Sequence, residues 1–133
     1  MKAILLIVIM IVSTAQAQIN LAGKSYTALI RSSCKEFKDG GCTINTYCTL
    51  TFEKEKVTVS YSTKATCTDK KREKTYEGKP EEGILYNWTT KNEQVHIENF
   101  IDYGDLLPTE GKLVGKKEVN GLLQDLDFVE VLN

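Results

Sequence analysis

The sequence has 133 residues, 41% of them hydrophobic and 26% charged, and its 17 basic and 18 acidic side chains give a net charge of −1. So balanced a charge argues against nucleic acid or an anionic membrane as a partner, because both attract a basic face. The length fits one domain built around one hydrophobic core.

The first segment has the pattern of a secretory signal peptide. Lys2 gives a positive start, Ile4 to Val12 is an unbroken apolar run, and Ala15-Gln16-Ala17 supplies the small residues that a signal peptidase requires. The apolar run is shorter than the roughly 20 residues that a membrane-spanning helix needs. We therefore expect cleavage near Ala17, a secreted or periplasmic protein without a membrane span, and a single all-β domain over residues 18–133.

Strict alternation of apolar and polar residues, the period of a β-strand, dominates the remaining sequence. A first strand carries Tyr26, Ala28 and Ile30 on one face. Two further strands, Thr46–Phe52 and Val57–Tyr61, flank a charged turn at Lys54-Glu55. The register of this hairpin places three pairs on one face: Phe52 with Val57, Leu50 with Val59, and Cys48 with Tyr61.

The second half of the chain repeats this construction. Residues 73–77 predict a polar edge strand, and residues 84–88 and 95–97 predict a hairpin with its turn at Lys91-Asn92. Asn120-Gly121 is a strong hairpin signal. The expected cross-strand pairs are Trp88 with Val95, Tyr86 with Ile97, Leu113 with Phe128, and Lys116 with Asp125. About eight short strands joined by local turns predict an antiparallel up-and-down barrel or a curled meander.

The four cysteines predict two disulfides, because an even number in a secreted chain meets an oxidising compartment. The sequence allows three connectivities, and we favour Cys34–Cys42 with Cys48–Cys67 because sequence neighbours close first. A zinc site is the weaker interpretation, since no C-x-x-C pair is present. The cysteines define a predicted rim, made of the long connection from Arg31 to Asn45 and the basic loop from Lys70 to Lys74.

No catalytic or metal-binding pattern stands out. His96 is the single histidine and falls on the polar face of its strand, where a surface role is expected. Acidic pairs such as Asp102 with Asp105 lack the repeated oxygen ligands of a calcium loop. Asn87-Trp88-Thr89 matches a glycosylation acceptor, which has a meaning only in a eukaryotic host. We expect no enzyme, no metal and no cofactor.

Inward-facing aromatic residues form the best candidate for a binding site. An eight-stranded barrel is just wide enough either to fill with side chains or to hold one small ligand. Buried tyrosine hydroxyls and an indole nitrogen also need polar partners, which a ligand can supply. The sequence therefore predicts a ligand site formed by Tyr61, Tyr86 and Trp88.

With Leu21-Ala22-Gly23 leading into the first strand and ordered hairpins following it, the chain resembles the small secreted lipocalin-like (calycin-type) β-barrels. That family usually has a tryptophan just after the glycine, whereas this chain has Ser25 and Tyr26. Tyr47-Cys48 followed by residues 57–61 is also similar to small barrels that inhibit bacterial lysozymes. The first resemblance implies an interior ligand site; the second implies contacts with another protein.

Two functions follow from the sequence as expectations. The first is a monomeric, secreted, non-enzymatic binding protein that holds a small apolar ligand inside the barrel. The alternative is a protein-binding or inhibitory domain that contacts a secreted or surface protein through its disulfide-fixed rim. A purely structural secreted domain is the third interpretation.

Overall fold

The computed structural model describes residues 19–79 and 81–132, which build an antiparallel sheet of eight strands. The predicted signal peptide lies outside the described residues. Among the residues that are described, no helix is long and apolar enough to cross a membrane. The strands are β1 (Ser25–Phe37), β2 (Gly40–Phe52), β3 (Lys56–Cys67), β4 (Ile84–Lys91), β5 (Gln94–Ile97), β6 (Leu107–Thr109), β7 (Lys112–Val119) and β8 (Leu122–Glu130).

The sheet curls into a nearly closed barrel with up-and-down connections. Its order is β5-β4-β3-β2-β1-β8-β7-β6, so consecutive strands are neighbours and β1 meets β8. A bridge between Val95 of β5 and Leu106, just before β6, joins the two ends of this order. The Val95 amide donates to the Leu106 carbonyl at 2.8 Å, and the Leu106 amide donates back at 2.9 Å. The predicted all-β barrel is therefore confirmed.

Two of the predicted hairpin registers are confirmed and one is wrong. Cys48 lies opposite Tyr61 in the β2–β3 pair, and Leu113 lies opposite Phe128 in the β7–β8 pair. In the β4–β5 pair, Trp88 lies opposite Ile97 rather than Val95. The turn residues there are Asn92 and Glu93, both with positive φ (52° and 62°), so the turn begins one residue later than predicted.

The predicted edge strand at residues 73–77 is wrong. Lys70–Arg72 is a 3₁₀ turn and Glu73–Tyr76 is a one-turn helix, α1. The Asp69 carboxylate accepts a hydrogen bond from the Lys71 amide at 3.0 Å, which is an N-cap that starts helical structure. The eighth strand is instead β6, whose Pro108 lacks an amide proton and lies near the weakly bridged junction of the barrel.

The predicted loop from Arg31 to Asn45 is also wrong, because β1 and β2 continue through it as a long hairpin. The turn depends on Gly40, whose φ is +136° and whose missing Cβ leaves room for the Thr68 side chain. β8 pairs with β1 only at Tyr26 and Thr27. The upper parts of β1 and β2 (residues 31–45) and of β3 (residues 62–67) therefore continue past the barrel as a three-stranded ribbon.

One disulfide forms rather than two, and it joins Cys42 to Cys67. These residues lie directly opposite each other in the β2–β3 pair, with Cα atoms 4.1 Å apart. Cys34 lies opposite Thr43, so its thiol is on the other face of the ribbon from Cys42 and is exposed. Cys48 is buried in the barrel, six residues and roughly 20 Å along β2 from Cys42. The predicted pairing of Cys34–Cys42 and Cys48–Cys67 is wrong for these geometric reasons.

Side chains fill the barrel. Phe52 and Phe128 are at most 1% exposed, and Tyr26 packs edge-on against Phe52 with ring centroids 5.9 Å apart. The other fully buried side chains are aliphatic or a thiol: Leu50, Leu106, Leu113, Val57, Val95 and Cys48. A second, smaller cluster around the disulfide holds the ribbon against α1.

The cysteine arrangement predicts a specific pattern of alkylation. Without reductant, the native protein should react at Cys34 only, because Cys48 is buried. Unfolding without reductant should expose a second thiol, and reduction should release Cys42 and Cys67 as well. Mass spectrometry after each treatment counts the added groups. An unfolded, unreduced chain that takes up no alkylating reagent would show that two disulfides exist.

The filled interior predicts a large cost for Phe128→Ala. Phe128 is fully buried, so truncation should lower the free energy of unfolding by about 3–5 kcal/mol. Leu123→Ala is the control, since Leu123 is 71% exposed and should change stability by less than about 0.5 kcal/mol. Urea titration measures both. Equal effects in the two variants would contradict the packing described here.

Candidate functional site

A gap in the barrel wall creates the candidate site. β4 pairs with β3 only over Lys56–Val59, opposite Ile84–Asn87. Beyond Val59, β3 continues to Cys67 without this neighbour, while the chain passes through α1 before β4 begins at Ile84. The edge of β3 at Ser60 and Tyr61 is therefore not covered by a strand.

A pocket of about 300 Å³ occupies this gap, and we call it the mouth pocket. Its walls come from the middle of β3, from the start of β4, from residues 81–82 before β4, and from the connection between β5 and β6. The apolar and aromatic lining residues are Val59, Tyr61, Ile84, Tyr86 and Phe100, and the polar ones are Ser60, Glu81, Glu82, Asn99 and Asp102. Ile84 is 61% exposed, which places it at the opening.

A line of aromatic rings connects the mouth pocket to the core. Tyr86 packs against Phe100 with ring centroids 5.4 Å apart, and Phe100 packs against Tyr103 at 5.7 Å. Tyr103 in turn contacts the buried Phe128 at 5.6 Å. Because Tyr103 packs against the core, the aromatic wall of the pocket has a defined position.

Next to the pocket, the buried Cys48 and Tyr103 form a polar cluster with the half-buried Tyr61. Burial raises the pKa of the Cys48 thiol to about 12, although a hydrogen bond with the Tyr61 hydroxyl opposes part of this rise. Burial also raises the pKa of Tyr61, and its hydrogen bond to Tyr103 and the nearby Asp102 carboxylate raise it further. All three groups are thus held neutral near pH 7, so Cys48 is not an activated nucleophile.

A second pocket of about 400 Å³ adjoins the first on the inner side of the ribbon. Tyr61 and Glu81 line both pockets, so the Tyr61 ring lies at their boundary. The second pocket differs in charge, because Arg31 and Lys79 contribute basic side chains to its lining.

The structure brings Tyr61 and Tyr86 together in the mouth pocket but places Trp88 elsewhere. Trp88 lines a different pocket with Ile19 and Lys54. Its indole nitrogen donates to the Glu53 carbonyl at 2.9 Å, which satisfies the polar group without a ligand. The interior between these positions is filled, so the three predicted residues do not surround one enclosed cavity.

Sequence reasoning missed the connection from Phe100 to Asp102, which supplies one wall of the pocket. This segment has no two-residue alternation and precedes Gly104, so it gave only a turn signal. Its position is set by long-range contacts: the Lys116 amide donates to the Tyr103 carbonyl at 2.9 Å, which attaches the connection to β7.

Among the described residues, His96 and Asn87 lie outside the lining of the mouth pocket. His96 Nδ1 lies 2.7 Å from Asp105, with both side chains more than a third exposed. Asn87 is exposed on β4 and contacts Lys56 and Glu98. Within residues 19–79 and 81–132, no group of three or more His, Cys, Asp or Glu side chains is placed to hold a metal ion.

Comparison with protein families, with curated proteins and with solved structures found no match to this chain. The fold and the pocket therefore define it as a small antiparallel β-barrel with an aromatic pocket at its mouth.

The buried cluster predicts a loss of stability at alkaline pH. The folded protein keeps the Cys48 proton up to about pH 12, whereas an unfolded cysteine releases it near pH 9. The stabilisation contributed by the protonated Cys48 thiol is therefore fully present below about pH 9, and it is lost as the pH rises toward 12. Urea titrations at several pH values should show this fall, and Cys48→Ala should make it shallower. Cys34→Ser, at the exposed thiol, should leave the slope unchanged; parallel slopes in all three proteins would contradict the assignment.

Proposed function

We propose that this chain is a secreted, monomeric, non-enzymatic binding protein that takes a small ligand with an apolar part in its mouth pocket. The observation that carries the proposal is the open pocket of about 300 Å³ with Tyr61, Tyr86 and Phe100 in its lining. Pockets of this size, mainly apolar with a few polar groups, are typical of small-molecule sites. The ligand enters at the gap between β3 and β4 rather than the barrel centre, which is full.

The geometry supports a preformed site. The pocket wall is continuous with the core through Phe100 and Tyr103, so little ordering should accompany binding. Exposed Ile84 would be covered by the apolar part of a ligand. A binding role also fits the neutral state of Cys48, which supplies no reactive group beside the pocket.

Secretion is part of the same proposal. The N-terminal pattern ending at Ala17 and the Cys42–Cys67 disulfide both fit an oxidising compartment outside the cytoplasm.

A protein-binding or inhibitory role is the second candidate, supported by the ribbon. The hairpin of β1 and β2 extends beyond the barrel, and the disulfide fastens it to β3. Arg72 stacks on Phe37 at 4.1 Å and forms an ion pair with Asp39 at 3.2 Å, which braces the tip. A stiff, projecting hairpin loses little conformational entropy when it meets a partner.

The neutral fluorescent probe N-phenyl-1-naphthylamine tests the first candidate. The wild-type protein should bind it with increased fluorescence. Phe100→Ala should weaken binding about tenfold, because an aromatic contact of this kind contributes about 1–1.5 kcal/mol. Ile84→Ser should also weaken binding, and the exposure of Ile84 means that this variant keeps its fold.

Leu123→Ser is the matched control, since Leu123 is a similarly exposed apolar residue outside the pocket. It should bind the probe like the wild type. Equal weakening in Ile84→Ser and Leu123→Ser, or no binding by the wild type, would overturn the mouth pocket as the site. Native mass spectrometry of protein from its own source would then test the ribbon, by showing whether a co-purified protein is lost when residues 35–41 are replaced.

A further inference from the structure

We infer that the mouth pocket selects ligands that carry a positive charge next to an apolar group, such as an alkylammonium or an arylalkylammonium ion. This inference rests on the proposed function, and it specifies the ligand class for the same pocket. Three features carry it: the charges of the lining residues, the aromatic surfaces beside them, and the contrast with the adjoining pocket.

The charged groups that line the mouth pocket are all acidic. They are Glu81 and Glu82, just before β4, and Asp102, in the connection between β5 and β6, and the lining includes no Lys, Arg or His. The walls come from segments far apart in sequence, so the barrel fold, and not a local acidic run, brings the carboxylates around one opening. An anionic ligand would meet like charges from both walls, whereas a cation would meet opposite charges.

The ion pairs within the chain do not involve the carboxylates of the mouth pocket. Among the described residues, three ion pairs join Arg72 to Asp39, Lys112 to Asp127 and Lys116 to Asp125, and a hydrogen bond joins His96 to Asp105. None of them includes a carboxylate of the mouth pocket. In the described structure these three carboxylates therefore take part in no ion pair and are available to a ligand cation, although Glu81 also lines the adjoining pocket with Arg31 and Lys79.

Aromatic rings supply the second part of the recognition. Tyr61, Tyr86 and Phe100 all line the pocket, and Tyr86 and Phe100 are tilted by 45° to each other with centroids 5.4 Å apart. A cation near a ring face is attracted by the ring quadrupole, and the apolar part of the ligand gains contact with the same rings.

The Asp102 carboxylate lies near the hydroxyl groups of Tyr61 and Tyr103. Burial is the main cause of the raised pKa of Tyr61 and Tyr103, and the nearby Asp102 carboxylate raises both further, in keeping with its place in the pocket lining. The adjoining pocket has a different character, because Arg31 and Lys79 line it together with Glu81. Selectivity for cations should therefore belong to the mouth pocket and not to the whole end of the barrel.

Three probes with the same octyl tail test the inference: octyltrimethylammonium, 1-octanol and octanoate, each titrated against bound N-phenyl-1-naphthylamine. Octyltrimethylammonium should displace the probe at a concentration about tenfold lower than octanoate, with 1-octanol between them. Added salt should reduce this difference, because the carboxylates are at the surface.

Charge-removing variants identify the groups responsible. The double variant Glu81→Gln/Glu82→Gln and the variant Asp102→Asn should each weaken octyltrimethylammonium binding severalfold and leave 1-octanol unchanged. Glu110→Gln is the control, since Glu110 is an exposed carboxylate in the turn between β6 and β7. It should leave all three affinities unchanged.

The outcomes separate the two proposals. If 1-octanol displaces the probe but octyltrimethylammonium has no advantage over octanoate, the charge selectivity is wrong while the binding function stands. If no octyl compound displaces the probe, or the probe itself does not bind, the proposed function fails as well. A preference for the cation that persists in both charge-removing variants would assign the selectivity to other groups and overturn the inference.

Discussion

The tight hairpin between β2 and β3 determines which side chains enter the barrel. Its register places Cys48, Leu50 and Phe52 opposite Tyr61, Val59 and Val57, on one inner face. Because side chains alternate along a strand, a shift of one residue would turn this whole set outward. The same register, continued along the two strands, brings Cys42 opposite Cys67 and so decides the disulfide.

From this hairpin the unequal lengths of the neighbouring strands create the two functional regions. β3 is longer than the part that β4 covers, and β1 is longer than the part that β8 covers. The part of β1 that β8 does not cover belongs to the ribbon that projects from the barrel. The part of β3 that β4 does not cover borders the gap that becomes the mouth pocket. The packed interior supports both regions: it fixes Tyr103 against Phe128 and thereby the aromatic wall that includes Phe100.

Much of the barrel was predictable because strand periodicity and turn chemistry are local signals. Asn120-Gly121 forms its hairpin as predicted, with Lys116 paired to Asp125 across the strands. The prediction was wrong where two local signals competed. Residues 73–77 have weak strand alternation, but Asp69 caps a helical turn just before them. Helical structure continues from this turn through Tyr76, and no strand forms there. The sequence predicts a loop at residues 31–37, yet pairing with β2 makes them a strand.

The strand faces, most turns and the inward positions of Tyr61 and Tyr86 follow from local sequence patterns, because they depend on residues close together in the chain. The complete fold sets which cysteines meet, since Cys42 and Cys67 are 25 residues apart and their contact depends on strand register. It also placed Glu81 and Asp102 around one pocket and Trp88 outside it. Those positions depend on where each strand ends relative to its neighbour, a long-range property that no local pattern carries.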